Sequence, residues 1–294
     1  MATIGFVGLG NMGGPMAANL VKADHTVLGF DLVPAARDAA KAAGVTIAET
    51  AEDAVKGADI VVTMLPNGKL VTQLYAQLLP VAKQGTLFID SSTIDVDSAH
   101  AAHQAAATAG MRSVDAPVSG GVGGATAGTL TFMVGGAPAS VEAAQPILER
   151  MGKNIVPCGE AGAGQAAKIC NNMILGISMI AVSEAFVLGE KLGLSHDALF
   201  RVASTSSGQC WSINTYCPVP GPVPTSPANR DYQPGFAAAL MLKDLKLSQE
   251  AATSAGADTE LGRAANAIYE RFVTAGGGGT DFSGIVNAIR EQSK

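Results

Sequence analysis

Three stretches of this 294-residue chain combine residue types and spacings that can do chemistry. Gly8-Leu9-Gly10-Asn11-Met12-Gly13 is a G-x-G-x-x-G fingerprint placed directly after the strand-like run Thr3 to Val7 and at the opening of a helical pattern. In that setting the first glycine permits a tight turn, the second lets a pyrophosphate approach the backbone, and the third lets helix pack on strand. Unpaired amides at the helix start, around Asn11 and Met12, then face the anion with the helix dipole behind them. A second strand pattern ends at Asp31, near the spacing expected of the acid that binds the adenosine ribose hydroxyls. A carboxylate there repels a 2′-phosphate, and no arginine follows it, so NAD is predicted over NADP.

The second stretch, Asp115-Ala116-Pro117-Val118-Ser119-Gly120-Gly121-Val122-Gly123-Gly124, sets a hydroxyl within a glycine-rich turn. Successive exposed amides of such a turn make an anion nest fit for a small carboxylate, although a plain hinge has the same composition. The third is Lys168 with Asn172, four residues apart and so on one face of a helix. A lysine in mostly apolar surroundings is costly to bury as a cation and is tuned towards proton transfer; a surface lysine with a snorkelling stem fits the same pattern. Lys243-Asp244 leaves a similar choice between a cleft-facing residue and a solvated pair.

These residues need a scaffold, and the first 160 positions supply its pattern. Short β-branched runs at 3–8, 26–31, 45–48, 59–65, 86–91, 112–115 and 129–135 alternate with helical stretches near 12–23, 34–43, 50–56, 69–80, 95–109 and 138–151. That alternation predicts βαβ units in a parallel sheet. The ends of the fourth and fifth runs, Met64-Leu65-Pro66-Asn67 and Asp90-Ser91-Ser92-Thr93, fall at the crevice where such sheets bind ligands, or serve as ordinary turns and caps. After the cluster Gly159 to Gly164 the strand signal stops. Residues 165 to about 192 predict a helix of roughly 40 Å that is apolar on most sides. Further helices are expected at 236–254, 257–275 and 281–292, after a proline-rich loop over 215–234 that cannot be helical. The expectation is an α/β chain: a Rossmann-type doubly wound NAD-binding domain over 1–163, then an all-α substrate and oligomerisation domain over 164–294.

Composition narrows the function further. Forty-eight per cent apolar residues against 15% charged ones can fill a core, and a formal net charge of −6 without a basic run argues against a nucleic-acid partner. Asn171, Asn172, Ser183 and Glu184 interrupt the most apolar stretch, so a buried helix is expected there and not a membrane span. Cys158, Cys170, Cys210 and Cys217 show no metal-ligand spacing and are expected to be small buried residues, with no metal. The N-terminal residues lack the pattern of a targeting segment, and cytoplasmic residence is expected.

Across its whole length the chain resembles the β-hydroxyacid dehydrogenases. The resemblance rests on Phe6 through Gly13 and on to Asn19, on Asp115 to Gly121, on Gly164-Gln165-Ala166-Ala167-Lys168-Ile169-Cys170-Asn171-Asn172 and on Lys243-Asp244-Leu245. Cys210-Trp211-Ser212, Thr215 to Gly221, Ser226 to Asn229 and Asp281-Phe282-Ser283 resemble the branch that oxidises 3-hydroxyisobutyrate, with Cys217 standing where many of its members have asparagine. The resemblance implies NAD-dependent oxidation of 3-hydroxyisobutyrate to methylmalonate semialdehyde in valine degradation, with Lys168 as general acid/base and Asn172 orienting lysine or substrate. It implies a carboxylate held by Ser119 and the amides of Gly120 and Gly121, a nicotinamide lined by Leu65, Pro66 and Thr93, and Lys243 at the junction of cofactor and substrate. Trp211 is expected over the substrate or against another subunit, a plain core tryptophan being the alternative, and the resemblance implies a homodimer or homotetramer. Oxidation of L-serine or reduction of tartronate semialdehyde on the same scaffold is the near rival; a non-catalytic dinucleotide-binding module is the distant one.

Overall fold

The chain alternates strand and helix from its first residues, and in the computed structural model, which describes residues 1–293, each expected βαβ step is present. In order come β1 (Thr3–Val7), α1 (Gly13–Lys22), β2 (Thr26–Phe30), α2 (Pro34–Ala42), β3 (Thr46–Ile47), α3 (Ala51–Val55), β4 (Ile60–Thr63) and α4 (Gly68–Leu78). Then follow β5 (Leu87–Asp90), α5 (Val96–Thr108), β6 (Arg112–Asp115), β7 (Val118–Ser119), α6 (Gly121–Ala127), β8 (Leu130–Gly135), α7 (Pro138–Leu148) and β9 (Gly152–Gly159). The helical remainder is α8 (Ala163–Lys191), α9 (His196–Ala203), α10 (Trp211–Asn214), α11 (Ala238–Ala255), α12 (Glu260–Thr274) and α13 (Ile285–Gln292). The chain divides into two compact units, Met1–Lys168 and Ile169–Lys294, the division falling within α8.

The sheet of the first unit runs β3-β2-β1-β4-β5-β6-β8-β7, with β9 beside β8. Its first six strands are parallel in the 3-2-1-4-5-6 order of doubly wound dinucleotide-binding folds, which places a switch point between β1 and β4. Alternation along the strands sends Ile4, Phe6, Val62, Leu87 and Ile89 into one apolar layer, with Met16 and Leu20 of α1. Val7, Val61 and Phe88 go to the opposite layer, with Tyr75 of α4 and Ala102 of α5. Both faces of the sheet are thus covered, as a parallel sheet requires.

The far edge departs from the expected parallel sheet. β8 runs antiparallel to β6 and β7 and parallel to β9. Neither β7, two residues inside the glycine-rich segment, nor β9 carries a recognisable pattern: β9 exposes Lys153, Asn154 and Val156 and contains Pro157, all tolerated on an edge.

The second unit packs around two apolar clusters, one of Met179, Met241, Leu245, Tyr269, Phe282 and Ile285, the other of Phe186, Val187, Ile213, Cys217, Val219 and Val286. The proline-rich stretch is knitted by side-chain to backbone bonds: Ser226 Oγ to the Cys217 carbonyl (2.6 Å), Asn229 Nδ2 to that of Val223 (2.8 Å) and Tyr232 OH to that of Pro218 (2.9 Å). Two expectations need correction. Of the four cysteines only Cys217 is buried, while Cys170 is exposed. By length and composition alone α8 is long and apolar enough to cross a membrane, because Asn171, Asn172, Ser183 and Glu184 are too few to lower its hydropathy; half of its most apolar window is buried within the chain.

Candidate active site

The glycine turn between β1 and α1 is shaped as its sequence demands. Gly8 has φ +96°, a left-handed conformation open to glycine, and a Cβ on Gly13 would collide with the Gly8 carbonyl. A Cβ on Gly10, by contrast, would meet nothing within 4 Å. That open face lies at the start of α1, where Met12 occupies the N-cap position without a side-chain oxygen to offer and the first turn holds no acid. A pyrophosphate fits this opening at the positive end of α1, where no carboxylate competes, although the Gly14 amide is taken by the Gly10 carbonyl (2.9 Å) and the Met16 amide by that of Met12 (3.2 Å). Asp31 closes the cradle from the end of β2: its Oδ2 accepts from the Leu9 amide (2.7 Å) and its Oδ1 from the Val33 amide (2.8 Å).

Further along the carboxyl edge, β4 and β5 deliver the two loops expected beside the nicotinamide. The Leu65 amide donates to Ser92 Oγ (2.8 Å), tying the Leu65-Pro66 loop to the loop that carries Thr93. Ser92 Oγ in turn donates to Asp90 Oδ1 (2.6 Å), which also accepts from Thr63 Oγ1 (2.7 Å) and the Ser92 amide (3.2 Å). Asp90 Oδ2 is buried without a hydrogen-bond partner. Burial pushes the Asp90 carboxyl up to about 6, with nearby Asp115 adding to the shift and the Ser92 and Thr63 hydrogen bonds opposing it.

Asp115, paired in register with Asp90 across β5 and β6, has a fuller donor set. Its Oδ1 accepts from the Gly162 amide (2.8 Å) and lies 3.0 Å from His103 Nε2, while its Oδ2 accepts from the Gln165 amide (2.9 Å). His103 Nδ1 is 2.7 Å from Ser113 Oγ, so with a proton on Nε2 the ring accepts from the hydroxyl and donates to the carboxylate. A carboxylate that collects amides at a helix start fixes that start, and here the helix is α8, the bearer of Lys168. Lys168 is buried, 7% exposed.

The glycine-rich segment resolves into more than a turn. Ser119 ends β7 opposite Thr131, Gly120 caps α6 with φ +134°, and Gly121 begins it with φ +61°. Buried Asn19 of α1 donates from Nδ2 to the Ala125 carbonyl of α6 (2.7 Å), so α1 is bonded to the helix that follows the Ser119 turn. Gly8, Gly10, Asn11, Met12, Asp31, Leu65, Pro66, Thr93, Ser119, Gly120, Gly121 and Lys168 all belong to the first unit, whereas Asn172, Trp211 and Lys243 belong to the second.

Within the second unit Asn172 is 1% exposed and donates from Nδ2 to Asp244 Oδ2 in a short hydrogen bond, and its Oδ1 accepts from Asn171 (2.9 Å). Asp244 is therefore a buried partner of the α8 amide and not half of a solvated pair, and Lys243 beside it is half-buried. Trp211 is 49% exposed and stacks on Tyr216 (4.8 Å between ring centres), which stacks on Phe282 (5.3 Å). Tyr216 OH donates to Asp281 Oδ2 (2.9 Å), so the exposed indole stands at the end of an anchored aromatic stack.

The strand order, the open glycine turn and the acid at the end of β2 define a nicotinamide-dependent dehydrogenase of the Rossmann type. Residues 3–159 match the family profile described as the NAD binding domain of 6-phosphogluconate dehydrogenase, and residues 162–289 match the one described as NAD-binding of NADP-dependent 3-hydroxyisobutyrate dehydrogenase. A solved structure of Mycobacterium tuberculosis 3-hydroxyisobutyrate dehydrogenase with L-serine is 53% identical, covers 99% of both chains and superposes with a TM-score of 0.96. The NAD-dependent L-serine dehydrogenase of Pseudomonas aeruginosa is 47% identical over 286 residues (96% of each chain). The mitochondrial 3-hydroxyisobutyrate dehydrogenase of Drosophila melanogaster is 44% identical over 290 residues, 98% of this chain and 90% of its own. The chain belongs to the 3-hydroxyisobutyrate dehydrogenase family of NAD-dependent oxidoreductases.

His103 and Ser113 had no distinguishing signal in the sequence, and Asn19, Gln165 and Asp244 stood out only as members of motifs. Asp90 yields a pH prediction. Native Asp90 holds its proton up to about pH 6 and an unfolded aspartate releases it near 3.8, so the folded state binds more protons between these values. Stability contributed by the protonated acid is complete below that window and is lost as pH rises through it, by about 3 kcal/mol. Asp90→Asn is expected to gain stability relative to wild type between pH 4 and pH 7 in denaturant titrations. An equal stability difference at both pH values would contradict the assignment.

Proposed function

We propose that the protein oxidises 3-hydroxyisobutyrate to methylmalonate semialdehyde with NAD, as a cytoplasmic enzyme of valine degradation. Residues 1–163 act as the cofactor domain and 164–294 as the substrate and oligomerisation domain. The observation that carries the reading is Lys168: a buried lysine near the start of α8, whose first turn is tied by Asp115 to the carboxyl edge of the sheet.

In this reading Gly8, Gly10, Asn11 and Met12 hold the pyrophosphate, Asp31 the adenosine ribose, and Leu65, Pro66 and Thr93 the nicotinamide side. NAD, when bound, supplies the hydride acceptor. Ser119 with the amides of Gly120 and Gly121 anchors the substrate carboxylate, which sets the hydroxyl-bearing carbon at a fixed reach from the turn. The Lys168 amine takes the hydroxyl proton as the C–H bond gives up its hydride, leaving the aldehyde and an ammonium, and no decarboxylation follows. Asn172, held by Asp244, orients the lysine or the substrate; Lys243 stands at the junction of cofactor and substrate, and Trp211 covers the substrate.

Lys168→Ala is expected to lower kcat by roughly 10²- to 10⁴-fold, the usual contribution of a general acid/base, while NADH binding followed by fluorescence persists. Turnover near the wild-type level in that variant would overturn the mechanism. Oxidation of L-serine is the second reading, favoured by the identity to the Pseudomonas aeruginosa enzyme and by the likeness to a structure solved with L-serine. A substrate panel separates them: 3-hydroxyisobutyrate is expected to exceed L-serine in kcat/KM by roughly 10- to 200-fold, the range one small group in a pocket supports. The reverse order would make the protein a serine dehydrogenase.

Selectivity for NAD is proposed on Asp31 and on the residues after it, Leu32 and Val33, which are exposed and carry no cation for a 2′-phosphate. NADP is expected to support at most a few per cent of the NAD-linked kcat/KM; comparable rates with both would remove this role. A homodimer or homotetramer is proposed because α8 exposes Ile174 (63%) and Leu188 (59%), with Leu192 (70%) just beyond its end. Leu188→Glu is expected to shift the light-scattering mass towards monomer, and a wild-type monomer would refute the assembly.

A further inference from the structure

The β5–β6 ladder ends at the pair Asp90 and Asp115, and the backbone that continues through Ser92, Thr93 and Ile94 takes its next partner from a side chain. Gln165 is fully buried; its Oε1 accepts from the Ile94 amide (3.1 Å) and its Nε2 donates to the Ser92 carbonyl (2.7 Å). A residue of a parallel strand makes the same two bonds, to the carbonyl and the amide that flank one neighbour. The side-chain amide of Gln165 thus stands in for a missing strand residue opposite Thr93.

We infer that Gln165 is a positioning residue: its amide clasps the backbone on both sides of Thr93 and so fixes the nicotinamide-side loop relative to Lys168, three residues further along α8. The inference rests on the functional reading of Thr93 and Lys168 given above. Gln165 is anchored at its other end too, since its main-chain amide donates to Asp115 Oδ2. Leu65 joins the same unit through Ser92 Oγ. Hydride and proton leave adjacent atoms of one alcohol, so the loop beside the hydride acceptor and the helix holding the base have to keep one spacing. Among side chains in their ordinary neutral-pH forms, glutamine alone pairs an uncharged donor with an acceptor at this reach. Asparagine is a methylene shorter, glutamate lacks the donor, and leucine would leave the Ile94 amide and the Ser92 carbonyl buried and unmatched.

The test uses Gln165→Leu and Gln165→Glu in the full-length protein. Gln165→Leu is expected to lower kcat by roughly 10²-fold, the cost of an ångström-scale misplacement. Its dissociation constant for NADH should change far less than kcat, since the Gly8 to Gly13 turn and Asp31 are untouched. The Ile94 amide should exchange faster with deuterium. Protonated glutamate has the shape and the donor of glutamine, so the Gln165→Glu deficit relative to wild type is expected to shrink as pH falls, and the Gln165→Leu deficit is not. A role confined to stability would not move with pH in this way. Should Gln165→Leu fail to fold, the Gln165→Glu pH profile decides. The inference is overturned by Gln165→Leu turnover within about threefold of wild type, by unchanged Ile94 exchange, or by a Gln165→Glu deficit flat in pH. If wild type oxidises none of the hydroxyacids, the functional reading fails instead, and Ile94 exchange still decides whether the clasp holds.

Discussion

A carboxylate buried at the end of a sheet has to be paid for in hydrogen bonds, and Asp115 meets that demand by gathering the first amides of α8. Everything assigned to Lys168 depends on it. The approach is close enough that a Cβ on Gly164 would sit 2.7 Å from the Asp115 carbonyl oxygen, and one on Gly135 would sit 2.5 Å from Asp115 Oδ1. Glycine at both positions lets the helix start rest on the strand ends. Once the start is fixed, helical geometry sets the positions of Gln165 and Lys168.

Asp90 and Asp115 are neighbours in register, and their surroundings give them different characters. Asp115 receives donors on both oxygens, from two amides and a histidine ring. Asp90 concentrates three donors on one oxygen and leaves the other buried and unmatched, which favours its protonated form. The asymmetry raises the pH at which Asp90 gives up its proton to about 6, while each acid organises a loop: Asp90 the Ser92 turn, Asp115 the helix start.

Much of this fold was legible in the chain because its signals are local. The strand Thr3–Val7, the glycines after it and Asp31 lie within one βαβ unit, where the spacing is set by covalent connection, and the structure keeps them as expected. Lys168 was harder, since the pattern of α8 fits both a buried and a snorkelling lysine; its burial is decided by tertiary packing. Gln165 stood in the same motif, but its role was illegible for the same reason. A glutamine in a helix is unremarkable until Ser92 and Ile94, 73 and 71 residues earlier, are brought to it. The edge strand β9, with Pro157 and exposed Lys153, lacks the apolar alternation that marks central strands, and α9 is a short helix capped by Ser195 that only half-buries Leu199, Phe200 and Ala203.

The family assignment fixes the class of chemistry, and the proposed roles set anchor, base and hydride acceptor around the sheet's carboxyl edge. That arrangement is tested most directly by a crystal structure of the protein with NAD and 3-hydroxyisobutyrate bound together. The account predicts the substrate carboxylate on the Ser119-Gly120 turn and Lys168 Nζ at about 3 Å from the substrate hydroxyl. A substrate anchored elsewhere, or a Lys168 ammonium turned to solvent in that complex, would contradict it.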